Sequence, residues 1–246
     1  MEKESENIVF KGFVKDDMTN DDFEKTIRKY FDLDRDYTKI KNKLCNVDDY
    51  LKRSIEYGEG IRLLNQDLFE TIISFIISAN NNIPRIKGII EKICEKYGDK
   101  IECFNDVYYS FPTPNQLAKA SIEDLRKMGL GFRDVRVYET TKKINSKEFD
   151  LKELYLLDTK IAKEKLLTLD GVGPKVCDCI LLFSDLKRLD VFPIDVWVRR
   201  VMNELYIHEK DESKVDKRVI QKMAEEKFGT LKGIAQQYLF YWKREA

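Results

Sequence analysis

Residues 67–78 (Asp-Leu-Phe-Glu-Thr-Ile-Ile-Ser-Phe-Ile-Ile-Ser) would be apolar almost all round if they formed a helix. A helix of that kind is stable where other helices cover every side, in the middle of a bundle. From Thr19 onward, Phe23, Ile27 and Tyr30 recur at helical spacing behind a polar start that can cap a helix. The sequence therefore predicts a mainly α fold with residues 67–78 as its core helix.

Further helices are expected along most of the chain. Ser121 to Asp124 resembles a capping box, and Gly98 and Gly129 end helical patterns. Later amphipathic segments predict helices near residues 159–168, 175–184, 195–206, 215–228 and 231–243. Residues 7–15 are rich in β-forming side chains and form the only convincing strand, which is too short to be a domain by itself.

Composition excludes several classes of function. The chain carries 44 Lys and Arg against 44 Asp and Glu, so it is not a general polyanion binder. It has 5 Cys without a Cys-x-x-Cys pair and 1 His, which suggests neither a disulfide framework nor a metal or iron-sulfur site. No apolar run reaches the roughly 20 residues of a membrane span, and the acidic start does not resemble a signal peptide. We expect a soluble, intracellular protein.

Residues 169–179 (Leu-Asp-Gly-Val-Gly-Pro-Lys-Val-Cys-Asp-Cys) carry the strongest signal for function. Gly171 and Gly173 allow positive φ and a close backbone approach, and Pro174 presets the first turn of a helix. The N–H groups at such a turn favour a bound anion, usually a phosphate. Lys175 lies in that first turn, where the helix macrodipole and partial burial favour a neutral amine that can act as a nucleophile.

Asp195 follows Lys175 by 20 residues and is placed to cap the next helix. One helix and a short return loop separate the two, so both could face one cleft. An amine beside a carboxylate suits reaction at a sugar anomeric carbon, because the carboxylate stabilises an oxocarbenium-like centre and the amine traps it as a Schiff base. A surface lysine and an ordinary helix cap explain the two residues equally well when they are considered alone.

The glycine-rich turn with its lysine at residues 171–175, called the hairpin below, and the Pro193-Ile194-Asp195 tail are accompanied by four further motifs, at residues 78–85, 130–133, 176–179 and 235–240. Together they resemble the helix-hairpin-helix GPD superfamily of DNA glycosylases, in its 8-oxoguanine glycosylase/lyase branch. The resemblance implies a helix-hairpin-helix DNA glycosylase bundle with a short β remnant at the N-terminus. It divides the chain into a remnant of a β-rich domain at residues 1–18 and a helical domain at residues 19–246, whose two subdomains flank the active-site cleft.

The resemblance implies a base-excision repair enzyme that flips 8-oxoguanine, paired with cytosine, out of the duplex. Lys175 would attack the anomeric carbon, expel the base and nick the strand by β-elimination. Asp195 would support the developing charge. Phe240 and Cys179 would sandwich the extruded purine, and Gln236 would read its Watson–Crick edge.

Other motif residues are assigned to DNA contacts by the same resemblance. Asn80 would fill the gap left by the flipped nucleotide, Phe132 would wedge beside the orphan base, and Arg85 and Arg133 would hydrogen-bond the opposite cytosine. Contacts to the DNA backbone are implied for Gly171, Gly173, Val176 and Trp197. Trp197 stands where eukaryotic members carry histidine, and its indole N–H could replace that donor. Without the motif context, each residue has an ordinary explanation in core packing, helix termination or solvation.

The resemblance implies double-stranded DNA with a damaged base as the partner, no membrane, a monomeric enzyme, and no organic cofactor or redox metal. It leaves open a structural alkali cation at the hairpin when DNA is bound. The location would be the cytoplasm and nucleoid in a prokaryote or the nucleus in a eukaryote. Two alternatives remain: a glycosylase of the same fold for another damaged or mismatched base, and a non-catalytic DNA-binding module. The lack of four closely spaced C-terminal cysteines argues against the iron-sulfur endonuclease III type.

Overall fold

The computed structural model describes residues 18–103 and 105–246. The strand expected at residues 7–15 lies outside this range, and so does nearly all of the remnant assigned to residues 1–18. Within the described residues the chain is mostly helical, which confirms the mainly α prediction. The division into two helical subdomains stays a prediction.

The α-helices and strands follow one another in chain order, and several of the connections contain short 3₁₀ or π turns. The first part of the chain contains α1 (Asn20–Tyr30), α2 (Tyr37–Cys45), α3 (Asp49–Tyr57), α4 (Leu68–Ser78), α5 (Ile83–Tyr97), β1 (Lys100–Cys103) and β2 (Asp106–Tyr109). The second part contains α6 (Pro114–Leu117), α7 (Ile122–Lys127), α8 (Asp134–Asn145), α9 (Thr159–Leu166), α10 (Pro174–Phe183), α11 (Val196–Met202), α12 (Lys217–Phe228) and α13 (Lys232–Glu245).

Helix α4 is the core helix, as its sequence predicts. Asp67 caps its N-terminus by accepting a hydrogen bond from the Glu70 amide. Ile72, Ile73 and Ile76 have no exposed surface, and the helix packs against α5, α8 and α10. Because α4 is covered on all these sides, it fixes the position of α10, the helix that begins at the hairpin.

The C-terminal helix α13 joins the beginning and the end of the described chain. It packs against α3, α11 and α12, and its Tyr238 is fully buried. Its first turn lies close to the loop after α10, because the Gly233 amide donates to the main-chain oxygen of Leu189 at 2.8 Å. A Cβ on Gly233 would lie 2.9 Å from that oxygen, so only glycine allows this approach. The contact fixes the start of α13 against the loop that follows α10.

A β-hairpin that the sequence pattern does not predict interrupts the helices. Lys100 pairs with Tyr109 and Cys103 with Asp106 in an antiparallel register. Each strand has 4 residues, too few for an alternating pattern to be visible within a helical background. The polar Asn105 at the turn was the available signal. The expectation that residues 7–15 form the only strand is therefore wrong, while the strand at residues 7–15 itself lies outside the described residues.

Gly98 ends α5 at a point that has no room for a side chain. A Cβ there would lie 1.9 Å from the main-chain oxygen of Ser110, and a backbone atom cannot rotate away. We expect Gly98→Ala to lower the free energy of unfolding by about 1–3 kcal/mol, the usual cost of overpacking. Urea unfolding followed by circular dichroism measures this change.

Gly88→Ala is the matched control in the same helix. A Cβ on Gly88 would meet nothing within 4 Å. In a helix interior, alanine is more favourable than glycine by about 1 kcal/mol. The free energy of unfolding of this variant should therefore be higher than that of the wild type. Equal stability of Gly98→Ala and the wild type would contradict the steric argument.

Candidate active site

Helix α10 begins at the hairpin that the sequence singles out. Gly171 has a φ of 84°, and a Cβ there would lie 3.0 Å from Ile76 and 3.1 Å from Arg136, so glycine is required. Gly173 has a φ of −91° and open space around it. Of the two glycines expected to allow positive φ, only Gly171 uses it. Gly173 instead leaves the approach to the helix N-terminus free.

The N-terminus of α10 is suited to an anion. Its N-cap, Gly173, is exposed and provides no side-chain hydrogen bond. The amides of Lys175 and Val176, in the first turn, have no acceptor within the helix. Asp170, the acidic residue of the hairpin, forms an ion pair with Lys143 at 2.8 Å, so its charge is offset within the protein. A phosphate can therefore approach these amides without facing an unpaired carboxylate.

Lys175 is half-buried in the first turn of α10. Its Nζ lies 5.3 Å from the centroid of the Phe75 ring, which stacks on Phe183 at 5.7 Å. The amine also contacts the thiol of Cys179. Burial raises the pKa of that thiol to about 11, and the nearby Lys175 acts in the opposite direction. Cys179 is therefore a neutral, apolar neighbour of the lysine at neutral pH.

Asp195 is the N-cap of α11, at the position that the sequence predicts. Its carboxylate accepts a hydrogen bond from the Val198 amide at 2.8 Å. Ile194 and Val198 on either side are buried, while Asp195 itself remains partly accessible. The cap thus fixes the orientation of a carboxylate at the edge of solvent.

One cavity of ≈ 820 Å³ brings several of the predicted site residues together, and its volume is that of a ligand-binding cleft. Its walls come from the C-terminal end of α4, the first turns of α10 and α11, and α13. The predicted site residues in its walls are Asn80, Lys175, Val176, Asp195, Trp197 and Phe240. Trp197 is 53% exposed, so it stands at a surface that a large ligand can reach.

A smaller cavity of ≈ 130 Å³ lies beside the first. The residues that line both cavities include Lys175, Asp195 and Phe240. Cys179 and Gln236 line the smaller cavity and not the larger one. Gln236 is 5% exposed, and its Nε2 donates to the main-chain oxygen of Pro193 at 2.6 Å. All three residues predicted to hold an extruded base therefore line one cavity next to the lysine.

The residues predicted to contact the opposite strand form a second group outside both cavities. Phe132 is 55% exposed, and the guanidinium groups of Arg133 and Arg136 lie 4.3 and 5.1 Å from its ring centroid. Arg85 is exposed and donates to the main-chain oxygen of Gly129 at 2.8 Å. An exposed aromatic side chain surrounded by arginines suits contact with nucleic acid.

Arg133 differs from its neighbours because it is 3% exposed. Its Nε donates to Ala79 at 2.8 Å, its Nη1 to Leu130 at 3.1 Å and its Nη2 to Asn80 at 2.6 Å, each time to the main-chain oxygen. It thereby ties the Asn80 turn, with φ 51°, to the turn that carries Phe132. The contact between Arg133 and a cytosine stays a prediction, and in the structure three of the five N–H groups of this guanidinium already donate to main-chain oxygens.

The structure adds residues that the sequence analysis did not single out. Phe75 lines both cavities, but its place in the apolar core helix hides it from pattern analysis. Three basic residues on three different helices also line the larger cavity: Arg199, Lys217 and Arg244. They are far apart in the sequence, so their proximity becomes visible only in the folded chain. The Arg199 Nε is buried and has no hydrogen-bond partner among the described residues.

The described residues contain neither a metal-binding cluster nor a membrane-spanning helix. No group of three or more His, Cys, Asp or Glu side chains in this part of the chain is placed to hold a metal ion. None of its helices is long and apolar enough to cross a membrane.

An alkali cation would be held by oxygen atoms, and at the hairpin the main-chain oxygen of Asp170 already accepts from Thr140 at 2.9 Å. The cation stays a prediction.

Two family models match the chain. The HhH-GPD superfamily base excision DNA repair protein model matches residues 73–227. The 8-oxoguanine DNA glycosylase N-terminal domain model matches residues 1–72. The chain therefore belongs to the helix-hairpin-helix GPD superfamily of base-excision DNA repair proteins, which confirms the resemblance found in its motifs. The division into domains at residue 18 stays a prediction.

Individual relatives place the similarity within this superfamily. A Methanothermobacter thermautotrophicus protein named "Probable N-glycosylase/DNA lyase" is 32% identical over 88% of this chain and 72% of its own length. The N-glycosylase/DNA lyase of Saccharomyces cerevisiae is 32% identical over 84% of this chain and 58% of its own length. A solved structure of Clostridium acetobutylicum 8-oxoguanine glycosylase/lyase, in complex with double-stranded DNA containing cytosine opposite 8-oxoguanine, is similar to this chain with a TM-score of 0.86. The two sequences are 43% identical, and the match covers 93% of this chain and 77% of that chain.

Proposed function

We propose that this protein is a bifunctional DNA N-glycosylase and abasic-site lyase that removes 8-oxoguanine paired with cytosine from double-stranded DNA. The observation that carries the proposal is the placement of Lys175 and Asp195 in the walls of both cavities, beside Cys179, Gln236 and Phe240. Similarity to an 8-oxoguanine glycosylase/lyase and to N-glycosylase/DNA lyases supports the substrate and both activities.

Lys175 supplies the nucleophile of the proposed reaction. Its unprotonated Nζ attacks C1′ of the extruded nucleotide as the bond from C1′ to N9 of the base breaks, and the base leaves with the bonding electron pair and takes up a proton. The carboxylate of Asp195 stabilises the positive charge that develops on the sugar. Loss of a proton from the nitrogen and opening of the sugar ring give a Schiff base. Removal of a C2′ proton then expels the 3′ phosphate and nicks the strand.

Extrusion of the base leaves a gap in the duplex that has to be filled. Unstacking and unpairing a base costs a few kcal/mol, which protein contacts must offset. The exposed Asn80 turn lies at the larger cavity and is suited to enter the gap, while the exposed Phe132 is suited to stack beside the orphan base. Arg85 stands next to Phe132 as a donor to that base, and Arg133 would join it.

Phosphate groups that flank the extruded nucleotide would bind at two places. The first is the N-terminus of α10, where Gly171 and Gly173 give access to the amides of Lys175 and Val176. The second is the wall of the larger cavity. There Trp197 has an indole donor, and Arg199, Lys217 and Arg244 supply positive charge. These contacts would hold the sugar in reach of Lys175.

Arg199→Gln should weaken DNA binding and its dependence on salt. Each ion pair with a phosphate contributes about 0.9 to the slope of log K against log salt, so we expect a slope smaller by roughly one. Arg199 lines the larger cavity, where its guanidinium group can pair with a phosphate oxygen. Fluorescence anisotropy with a labelled duplex at several sodium chloride concentrations measures both effects.

Arg28→Gln is the control for this experiment. The Arg28 Nε on α1 donates to Asp34 at 2.9 Å, so its charge is already paired, and Arg28 lines neither cavity. The slope of log K against log salt for this variant should equal that of the wild type. The same slope for Arg199→Gln and Arg28→Gln would show that Arg199 does not bind a phosphate.

A panel of damaged duplexes tests the proposed function. Single-turnover reactions would use 8-oxoguanine, 3-methyladenine, an oxidised pyrimidine and a mismatched base, each opposite all four bases, with and without alkali treatment. We expect 8-oxoguanine opposite cytosine to be removed fastest and the strand to be nicked without alkali. Removal of another base alone would favour a different glycosylase of the same fold. DNA binding without removal of any base would favour a non-catalytic module.

We also propose that the protein works on DNA as a monomer, in the nucleoid or the nucleus according to the type of cell. An alkali cation at the hairpin would assist phosphate binding once DNA is present. Analytical ultracentrifugation of the protein with one equivalent of duplex, in potassium and in tetramethylammonium salts, tests both points. A one-to-one complex that is weaker without potassium is the expected result.

A further inference from the structure

Gln237 follows Gln236 on α13, and both side chains line the ≈ 130 Å³ cavity. The Gln237 Nε2 donates to the Gln236 Oε1 at 3.0 Å, and the Gln236 Nε2 donates to the main-chain oxygen of Pro193 at 2.6 Å. The Gln236 amide is therefore held at both ends, its NH₂ by an acceptor and its carbonyl by a donor. Gln236 is buried, so these two contacts determine the orientation of its amide.

Reversal of the Gln236 amide would be unfavourable at both ends. Its carbonyl would then face the Pro193 oxygen, a fixed acceptor in a buried place, and its NH₂ would face the Gln237 NH₂ until the Gln237 amide also turned. In the observed orientation the Gln236 Oε1 keeps a second lone pair, because an amide oxygen can accept two hydrogen bonds. The cavity thus offers an acceptor of fixed position.

We propose that Gln237 is a positioning residue for base recognition: it holds the Gln236 Oε1 as an acceptor and thereby favours purines whose Watson–Crick edge carries donors. Guanine-type bases have such donors in N1–H and the 2-amino group, whereas N1 of adenine-type bases is itself an acceptor. An acceptor facing an acceptor in a buried site leaves both unpaired, which is costly. The inference rests on the proposed function, because it assigns the reading of the base to Gln236.

Two substitutions at Gln237 separate orientation from packing. Gln237→Glu has nearly the same shape but offers acceptors only, so its carboxylate repels the Gln236 Oε1 and favours the reversed amide. Gln237→Leu removes the donor without adding an acceptor. The measurement is the single-turnover excision rate for 8-oxoguanine and for 8-oxoadenine, each opposite cytosine. We expect the ratio of the 8-oxoguanine rate to the 8-oxoadenine rate to fall about tenfold in Gln237→Glu, which is the effect of one hydrogen bond. The ratio should fall by less in Gln237→Leu.

Gln116→Leu controls for the loss of a glutamine elsewhere in the fold. Gln116 belongs to a capping box at α6 and lines neither cavity, so its removal can lower stability without changing the ratio. Thermal unfolding confirms that each variant is folded at the assay temperature. An unchanged ratio in Gln237→Glu, or an equal loss on both substrates, overturns the positioning role. Failure of the wild-type protein to remove 8-oxoguanine overturns the proposed function, and this inference with it.

Discussion

Lys175→Gln is expected to abolish removal of 8-oxoguanine and strand nicking while DNA binding stays nearly intact. The substitution keeps a polar side chain in the first turn of α10 but removes the amine that would attack C1′. Loss of a nucleophile lowers the rate by ~10⁴-fold or more, because no neighbouring group replaces its bond to the sugar. Single-turnover reactions resolved on denaturing gels measure the rate, and fluorescence anisotropy measures binding.

Lys222→Gln is a suitable control for the loss of a lysine. Lys222 is exposed on α12, where it pairs with Glu226 at 3.8 Å, and it lines neither cavity. Its rate should equal that of the wild type. If Lys175→Gln still nicks DNA at a rate close to that of Lys222→Gln, then Lys175 is not the nucleophile.

Asp195→Asn is expected to lower the rate of base removal by ~10²–10³-fold, the scale of losing one electrostatic stabiliser of the transition state. Asparagine caps a helix about as well as aspartate, so the Val198 amide keeps an acceptor. The free energy of unfolding should therefore change by less than about 0.5 kcal/mol. Parallel measurement of excision and urea unfolding separates charge from capping.

Asp195→Ala completes the comparison, because it removes the cap together with the charge. We expect it to lose about 1 kcal/mol of stability in addition to activity. Retention of full activity by Asp195→Asn would show that the carboxylate serves α11 only as a cap. Equal stability of the alanine variant and the wild type would show instead that the cap contributes little.

Local patterns in the sequence were sufficient for the elements that form the site. A cap involves only a few consecutive residues, and both the capping box at Ser121 and the N-cap at Asp195 lie where the sequence predicts them. The core helix predicted at residues 67–78 is α4, because a segment that is apolar all round can only be buried. The order of the motifs then identified the family.

Contacts between distant residues could not be predicted from the sequence. Arg133 was assigned to the opposite cytosine, yet it is buried against Ala79 and Asn80 because the end of α4 meets the turn before α8. The pairing of Asp170 with Lys143 likewise depends on how the hairpin packs on α8. The hydrogen bond between Gln237 and Gln236 is invisible for another reason, since neighbouring residues on a helix usually point in different directions.

Borohydride trapping during the reaction tests the central claim, that Lys175 forms a Schiff base with the sugar of the damaged nucleotide. Sodium borohydride reduces such an intermediate to a stable amine, and mass spectrometry of the digested complex identifies the modified residue. We predict a covalent complex with a duplex that carries 8-oxoguanine opposite cytosine, modified at Lys175, and none with undamaged DNA. A complex joined through another residue, or no complex at all, would contradict the assignment of Lys175.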